Sequence, residues 1–402
     1  MALIVQKFGG SSVANAERIE HVAEIITNTY KRGNDVVVVL SAQGDTTDDL
    51  LAKAFEINPY ASPREMDMLL ATGEQQSIAL MAMAIGRMDV PVVSLTGWQV
   101  GLETTSTYGA ARIKKVSGTR IREELDRRRI VLVAGFQGIN KFGDQTTLGR
   151  GGSDTTAVAL AVALKADLCQ IFTDVDGVYT ADPRKVPGAR KMQEVSFDEM
   201  LELASLGAQV LHNRSVEMAK RYNMNLEVLS SFTAEPGTIV KEAVKQVEKT
   251  YISGVASDKN VARIALVGVE DTPGEAFKVF NLLAREKVNV DIILQSIGRS
   301  DSKDISFTVK KNDADRAYRV LMDHKDDLGY DHVDINQDVA KVSVVGGGMV
   351  DNPGVAATMF EALYEAHVNI KMISTSEIKI SVLINKDDTD KAVAAIHDKF
   401  FS

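Results

Sequence analysis

Apolar positions in the first two-thirds of the chain fall into short runs separated by longer stretches with helical period. Leu3 to Phe8, Asp35 to Leu40, Val90 to Leu95, Ile130 to Ala134 and Leu168 to Thr173 are mostly β-branched or aliphatic. That is the pattern of strands buried on both faces. Between them the periodicity predicts helices: about Asn15 to Tyr30, from Asp48 onward, one or two over Pro63 to Arg87, and one carrying the apolar run Ala157 to Leu164. Pro63 suits a first helical turn. Strand-helix alternation predicts an α/β domain with a mostly parallel sheet sandwiched by helices. In such a fold the strands' C-terminal ends share one edge. Lys7, Ser41, Arg150 and Asp174 each fall at or just after a predicted strand, so the fold brings them together.

The last third repeats itself. Asp271-Thr272-Pro273-Gly274 recurs 80 residues later as Asp351-Asn352-Pro353-Gly354, and 10 of the 26 ungapped positions from 271 to 296 are identical. Each copy reads strand, Pro-Gly turn, amphipathic helix, strand and a further strand, a small α+β sandwich. Two copies invite side-by-side packing with a ligand cleft between them; the plainer reading is a duplicated dimerisation module.

Composition narrows the classes. The 402 residues, 45% hydrophobic and 25% charged, are ordinary for a globular protein of two or three domains. A net charge of -9 without any basic tract argues against nucleic acid as a partner. Cys169 is the single cysteine, so no intrachain disulfide forms; it reads as core, in a cytoplasmic protein. The N-terminus lacks a basic leader and a long apolar stretch, and no apolar run reaches the ~18 residues a membrane span needs. The six histidines show no metal-ligand spacing.

The chemistry concentrates in Thr146 to Thr156, where Gly149, Arg150, Gly151, Gly152, Ser153 and Asp154 precede the apolar run. A glycine turn feeding a helix N-terminus suits an anion, and Ser153 or Asp154 is a cap for that helix. Arg150 offers a fork to a carboxylate or phosphate, and Asp154 a charge to an ammonium. A site for both signs suggests a zwitterion such as an amino acid; the bland reading is a turn with a solvated arginine. Lys7 before Gly9-Gly10-Ser11-Ser12 either holds a transferred phosphoryl group or is a solvated strand-end lysine; the spacing is not that of a P-loop. Ser41 and Thr47 can bind a polar substrate or cap the following helix. Gly73 inside a helical stretch costs about 1 kcal/mol relative to alanine. It hints at a close approach there, with Glu74 facing an ammonium or solvent. Trp98 reads as packing. The stretch from Thr173 to Arg184 reads as a nucleotide pocket: Tyr179 on a base, Asp174 and Asp182 accepting from ribose or amino groups, Arg184 on phosphates. Alone, it would be a turn-rich connection.

Together the motifs become specific. Lys7-Phe8-Gly9-Gly10-Ser11-Ser12, Thr147 to Asp154 and Thr173 to Tyr179 resemble the three main motifs of the aspartokinases, and the doubled Asp-x-Pro-Gly units resemble their paired ACT domains. The resemblance covers essentially the whole chain, in the single-activity form that no dehydrogenase domain follows. It implies an amino-acid-kinase fold over 1–240, a linker over 241–262, and ACT domains over 263–335 and 336–402. It implies phosphorylation of the side-chain carboxylate of L-aspartate by ATP to 4-phospho-L-aspartate, the first step towards lysine, threonine and methionine. Magnesium would arrive with ATP rather than in a protein cage. Lys7, Gly9, Gly10 and Asp154 would serve the transfer. Arg150 would clamp the α-carboxylate, Glu74 and Asp154 would meet the ammonium, and Ser41 and Thr47 would fix the substrate. Lys7, Gly10, Ser11, Thr173, Asp174, Tyr179, Asp182 and Arg184 would hold ATP. Asp271, Gly274, Ala276, Asn289, Gln295, Asn369 and Ile370 match positions lining sites for lysine, with or without threonine, between ACT domains of paired subunits. Homo-oligomers through the ACT domains, or assembly with a separate regulatory subunit, are implied; no methionine lies between Ser230 and Val269 to start such a chain. Gln209 stands where many relatives carry lysine, which places more of the phosphate contacts on Lys7 and Arg184. The rivals are a sibling amino-acid kinase and an amino-acid sensor without turnover.

Overall fold

The computed structural model describes residues 1–206, 210–233, 235–242, 252–296, 302–349, 352 and 354–402. The chain forms two compact units: Met1–Val178 with Lys191–Ala204 and Gln209–Lys245, and Tyr179–Arg190 with Ser205–Ala208 and Gln246–Ser402.

The first unit is built on a sheet of eight strands. Across it run Glu194–Ser196, Thr238–Lys241, Leu226–Ser230, Leu168–Thr173, Leu3–Phe8, Asp35–Leu40, Ile130–Ala134 and Val92–Leu95. All neighbours are parallel except Leu226–Ser230 with Thr238–Lys241. Strand periodicity sends alternate residues to opposite faces. Phe8, Val38, Leu40 and Leu132 pack with Val22 and Ile26 of the helix Ala16–Lys31 and with Ile78, Met81 and Ile85 of the helix Thr72–Gly86. On the other face the helix Gly152–Leu164 lies against Leu3–Phe8 and Asp35–Leu40. That helix is buried nearly all round, as an unbroken run of Ala, Val and Leu requires.

Register then creates the edge the sequence predicts. Lys7 is level with Val39 and Ile171, and Phe8 with Leu40 and Phe172. Ser41 and Asp174 therefore leave the sheet beside Lys7. Arg150 differs. It follows the strand Gln145–Thr147 of a separate four-stranded sheet, with Ile113–Val116, Leu102–Thr104 and Gln137–Ile139. Strands this short carry too little periodicity to be read beforehand. Trp98 is 51% exposed, not packed as expected. Cys169 is fully buried, which pushes its thiol pKa up.

The second unit carries one six-stranded antiparallel sheet, ordered Val290–Gln295, Ser302–Lys310, Gly254–Glu270, His332–Val345, Lys379–Asn385 and Met372–Thr375. The repeat is visible in it. Gly274 (φ 106°) and Gly354 (φ 114°) cap the helices Glu275–Arg285 and Val355–Glu365, a left-handed geometry suited to glycine. Asp351 and Pro353 lie outside the described residues. One core holds Ile264, Val279, Leu283, Ile305 and Phe307; the other holds Val342, Met359, Leu363, Val382 and Ile396. The long strand Gly254–Glu270 serves both copies. Its residues Gly254 to Asp258 pair with Val345 to Lys341, and Ile252 and Val255 pack in the second core. Residues 254–262, expected as linker, are thus strand, because alternate side chains here have a core to enter.

Leu283 and Leu363 are equivalent and both fully buried. Leu283→Ala and Leu363→Ala should each cost about 2–5 kcal/mol, measured by urea unfolding. A loss well below 1 kcal/mol at either position would contradict the core assignment.

Candidate active site

The turn after Leu3–Phe8 is steric before it is chemical. A Cβ on Gly10 would lie 2.6 Å from the Ala42 carbonyl oxygen, and the Gly44 N–H donates to the Gly10 carbonyl at 3.0 Å. Only glycine lets the loops after the two central strands touch. A short 3-10 turn follows, Gly10–Val13, in which Ser11 is exposed and Ser12 shares a buried 2.7 Å hydrogen bond with Ser231.

Lys7 lies beside this turn, its Nζ 2.7 Å from Asp154 Oδ1, both side chains 12% exposed. Asp154 is in the first turn of the helix Gly152–Leu164, where the helix dipole favours an anion. Ser153 and Asp154, expected as candidate caps, are inside the helix; Gly151 (φ 70°) is the cap residue and offers no side-chain bond. The reason is crowding. A Cβ on Gly151 would meet the His212 ring at 2.2 Å, so the chain passes this point only as glycine.

Glu74 is 3% exposed on the helix Thr72–Gly86. Its Oε1 accepts from the Ala42 N–H at 3.2 Å, whereas Oε2 is buried without a hydrogen-bond partner among the described residues. Desolvation pushes its pKa up to about 7, partly offset by backbone hydrogen bonds. The approach at Gly73 is as tight as expected: a Cβ there would lie 2.8 Å from Ala42 Cβ. Ser41 is half-buried, its N–H on the Phe8 carbonyl at 3.2 Å. Thr47 is in the first turn of the helix Thr46–Ile57, which starts before the expected Asp48 and has no side-chain cap. Neither residue therefore caps it.

Arg150 is exposed at the tip of the glycine turn, with no ion-pair partner among the described residues. The turn is held by two groups that sequence reading passed over. Asp67, on the helix Pro63–Leu70, accepts from Thr147 N at 2.8 Å, Thr147 Oγ1 at 2.7 Å and Gly109 N at 2.9 Å. Arg214 donates to the Leu148 carbonyl at 2.7 Å and the Ala111 carbonyl at 3.1 Å. The signal for Asp67 is a lone carboxylate inside Met66-Asp67-Met68-Leu69-Leu70. Arg214 leaves no comparable trace, since helix-surface arginines are common.

Of the residues expected around a nucleotide, Thr173 and Asp174 sit at the end of Leu168–Thr173 in the first unit. Thr173 Oγ1 donates to Asp174 Oδ1 at 3.0 Å, and its carbonyl accepts from Ser231 N at 3.0 Å. Tyr179, Asp182 and Arg184 belong to the second unit. There the Arg184 side chain donates to Asp182 at 2.9 and 3.0 Å, which holds the Asp182 carboxyl below its usual range. Ala181 and Val186 are buried in the second core, and Thr180 Oγ1 meets His397 Nε2 at 2.9 Å. Gln209 lies outside the described residues. Of the residues expected to take an effector, Asp271, Gly274, Asn289, Gln295 and Asn369 are exposed and Ala276 and Ile370 half-buried; Asp271 pairs with Lys303 at 2.8 Å.

Among the described residues the site thus offers a lysine-aspartate pair largely out of water beside a glycine turn, a desolvated carboxylate with one oxygen lacking a partner, and a guanidinium without an ion pair. The chain is similar to known proteins over its whole length. A model of the amino acid kinase family matches residues 2–230, and an ACT domain model matches 264–324 and 342–400. The aspartokinase of Mycolicibacterium smegmatis is 54% identical over 405 aligned residues, covering 100% of this chain and 96% of that protein. The crystal structure of E. coli aspartokinase III in complex with aspartate and ADP (R-state) has a TM-score of 0.82 at 26% identity, covering 100% of both chains. The same enzyme with lysine and aspartate (T-state) gives 0.79 at 26% identity, again over 100% of both chains.

Gly10→Ala should force the two loops apart at a cost of about 1–3 kcal/mol. A thermal melt measures this, and an unchanged midpoint would contradict the contact.

Proposed function

The chain belongs to the aspartokinases, within the amino acid kinase family, and from that premise we propose that it transfers the γ-phosphoryl group of ATP to the side-chain carboxylate of L-aspartate. The observation that carries the proposal is the buried Lys7–Asp154 pair beside the Gly9-Gly10 turn. The nucleophile needs no general base: a carboxylate of pKa ~3.9 is already ionised at neutral pH. A carboxylate oxygen attacks phosphorus in line, the bond to the ADP oxygen breaks, and 4-phospho-L-aspartate forms. The protein's task is to position the reactants and neutralise charge. Lys7 supplies a cation for the moving group, with the Gly9 and Gly10 backbone beside it. Asp154 holds Lys7 in line, and shares with Glu74 the reception of the substrate ammonium. Glu74 Oε2 is the group that gains a partner when substrate arrives. Arg150 takes the α-carboxylate as a fork, and Ser41 and Thr47 complete the grip. We assign Ser11, Thr173, Asp174, Tyr179, Asp182 and Arg184 to ATP.

Magnesium belongs with the nucleotide in this reading. A magnesium ion that travels with ATP would take phosphate oxygens and water as ligands. Bound so, it neutralises phosphate charge.

We further propose feedback control by lysine, with or without threonine, at the ACT units. Asp271, Gly274, Ala276, Asn289, Gln295, Asn369 and Ile370 receive the effector, and copies of the chain pair through these units, alone or with a separate regulatory subunit. One feature gives this a physical basis. The segment Tyr179–Arg190, which carries three of the nucleotide residues, is packed into the second core through Ala181 and Val186. An effector that prefers one arrangement of that core shifts the population of nucleotide-competent chains. Among the described residues no helix is long and apolar enough to cross a membrane. We place the reaction in the cytoplasm, where the free thiol of Cys169 persists.

Two outcomes test the reading. With MgATP and L-aspartate, trapping by hydroxylamine should yield aspartyl hydroxamate, suppressed by lysine or by lysine with threonine; Lys7→Ala should lower kcat about 10²–10³-fold. Hydroxamate from L-glutamate instead of L-aspartate would move the chain to a sibling kinase. The second outcome concerns pH. Glu74 titrates near 7, so below that value it holds a proton and offers the ammonium no charge. KM for aspartate should rise as pH falls through about 7 and level off above it. Glu74→Gln should raise KM and flatten the profile; a wild-type KM that does not change with pH contradicts the role.

A further inference from the structure

We propose that Asp67 is the positioning residue that sets the spacing between Arg150 and Glu74, and so selects an α-amino acid by the separation of its carboxylate and ammonium. The inference rests on the substrate reading just given for those two groups. Asp67 is 1% exposed, and among the described residues no cation pairs with it. Its charge is met by donors alone. Gly109 N donates to both oxygens, at 3.0 Å to Oδ1 and 2.9 Å to Oδ2; Thr147 Oγ1 donates to Oδ1 at 2.7 Å and Thr147 N to Oδ2 at 2.8 Å. Both oxygens are occupied as acceptors, so an amide at this position would turn an NH2 toward another donor. The geometry needs a carboxylate.

What the carboxylate holds is the start of the Arg150 turn. Thr147 is three residues from Arg150, and its carbonyl accepts from Ala111 N at 2.9 Å. The two strands of chain meet again at Gly149, whose Cβ would sit 3.0 Å from the Gly109 carbonyl. Beyond that point Arg214 closes the clamp on Leu148 and Ala111. On the other side, Asp67 shares a helical run with Glu74: Pro63–Leu70 leads through Ala71 into Thr72–Gly86. The Ala71 carbonyl is itself fixed by Gln137 Nε2 at 2.8 Å. Asp67 is therefore the direct bond between the element that carries the carboxylate receptor and the element that carries the ammonium receptor. Hydrogen bonds to a buried charge are stiff, and their loss displaces what they hold.

The test is steady-state hydroxamate kinetics on the full chain as wild type, Asp67→Asn, Thr147→Val, Arg150→Ala and the Asp67→Asn/Arg150→Ala double variant. KM for aspartate should rise about tenfold or more in Asp67→Asn, and several-fold in Thr147→Val, with KM for ATP changed less than about twofold. The double variant should be no worse than Arg150→Ala alone, because both changes remove one interaction. Wild type should prefer aspartate to its α-methyl ester, and Asp67→Asn should lose that preference. Losses that multiply in the double variant, or a KM for ATP that rises in step, would overturn the proposal and leave Asp67 a scaffold residue. If Asp67→Asn does not fold, Thr147→Val and the ester comparison decide alone. Wild-type chain without aspartate-dependent hydroxamate would instead sink the substrate reading.

Discussion

A lysine brought out of water needs a carboxylate, and Lys7 has one 2.7 Å away in Asp154. Satisfying that need dictates much of the first unit. Lys7 must end a central strand, and Asp154 must start a helix on the sheet face beside it. The helix must then be apolar on every side, since it is covered nearly everywhere; Ala157 to Leu164 meets that demand. The glycines around Arg150 follow from the same constraint. A helix entering this close to His212 and Phe136 leaves no room for a side chain at Gly151 or Gly152. Chemistry and packing at this corner are one problem with one solution.

Much of this was legible beforehand because it depends on runs of apolar residues, on glycine and on repetition within the chain. The central strands, the close approach at Gly73 and the 80-residue repeat all leave such traces. What was hidden depends on partners far apart in sequence. Asp67 looks like any acidic residue on a helix until Gly109 and Thr147 close on it. The four-stranded sheet before Arg150 is made of strands of three or four residues, too short for periodicity to register. Likewise, nothing between Tyr179 and Arg190 announces that Ala181 and Val186 pack in a core built of residues beyond 250.

The segment Tyr179–Arg190 is part of the hydrophobic core of the second unit, hydrogen-bonded to its long strand and to His397 of its last helix. Close-packed cores resist gradual deformation and move between discrete arrangements.

The shared strand Gly254–Glu270 makes the first ACT copy an insertion within the second. Its early residues lie beside Lys341 to Val345, with the whole first copy looped out between them. On a growing chain the second copy waits: its sheet lacks a central neighbour until the strand His332–Val345 has been made. A first copy already folded shortens the effective loop and lowers the entropic cost of bringing its ends together. The nesting is one of topology: the inner copy lies wholly within the outer one in sequence, and the core of the outer copy is the one that takes in Ala181 and Val186. The core that surrounds Ala181 and Val186 is therefore complete only once the chain has been made as far as Ile396.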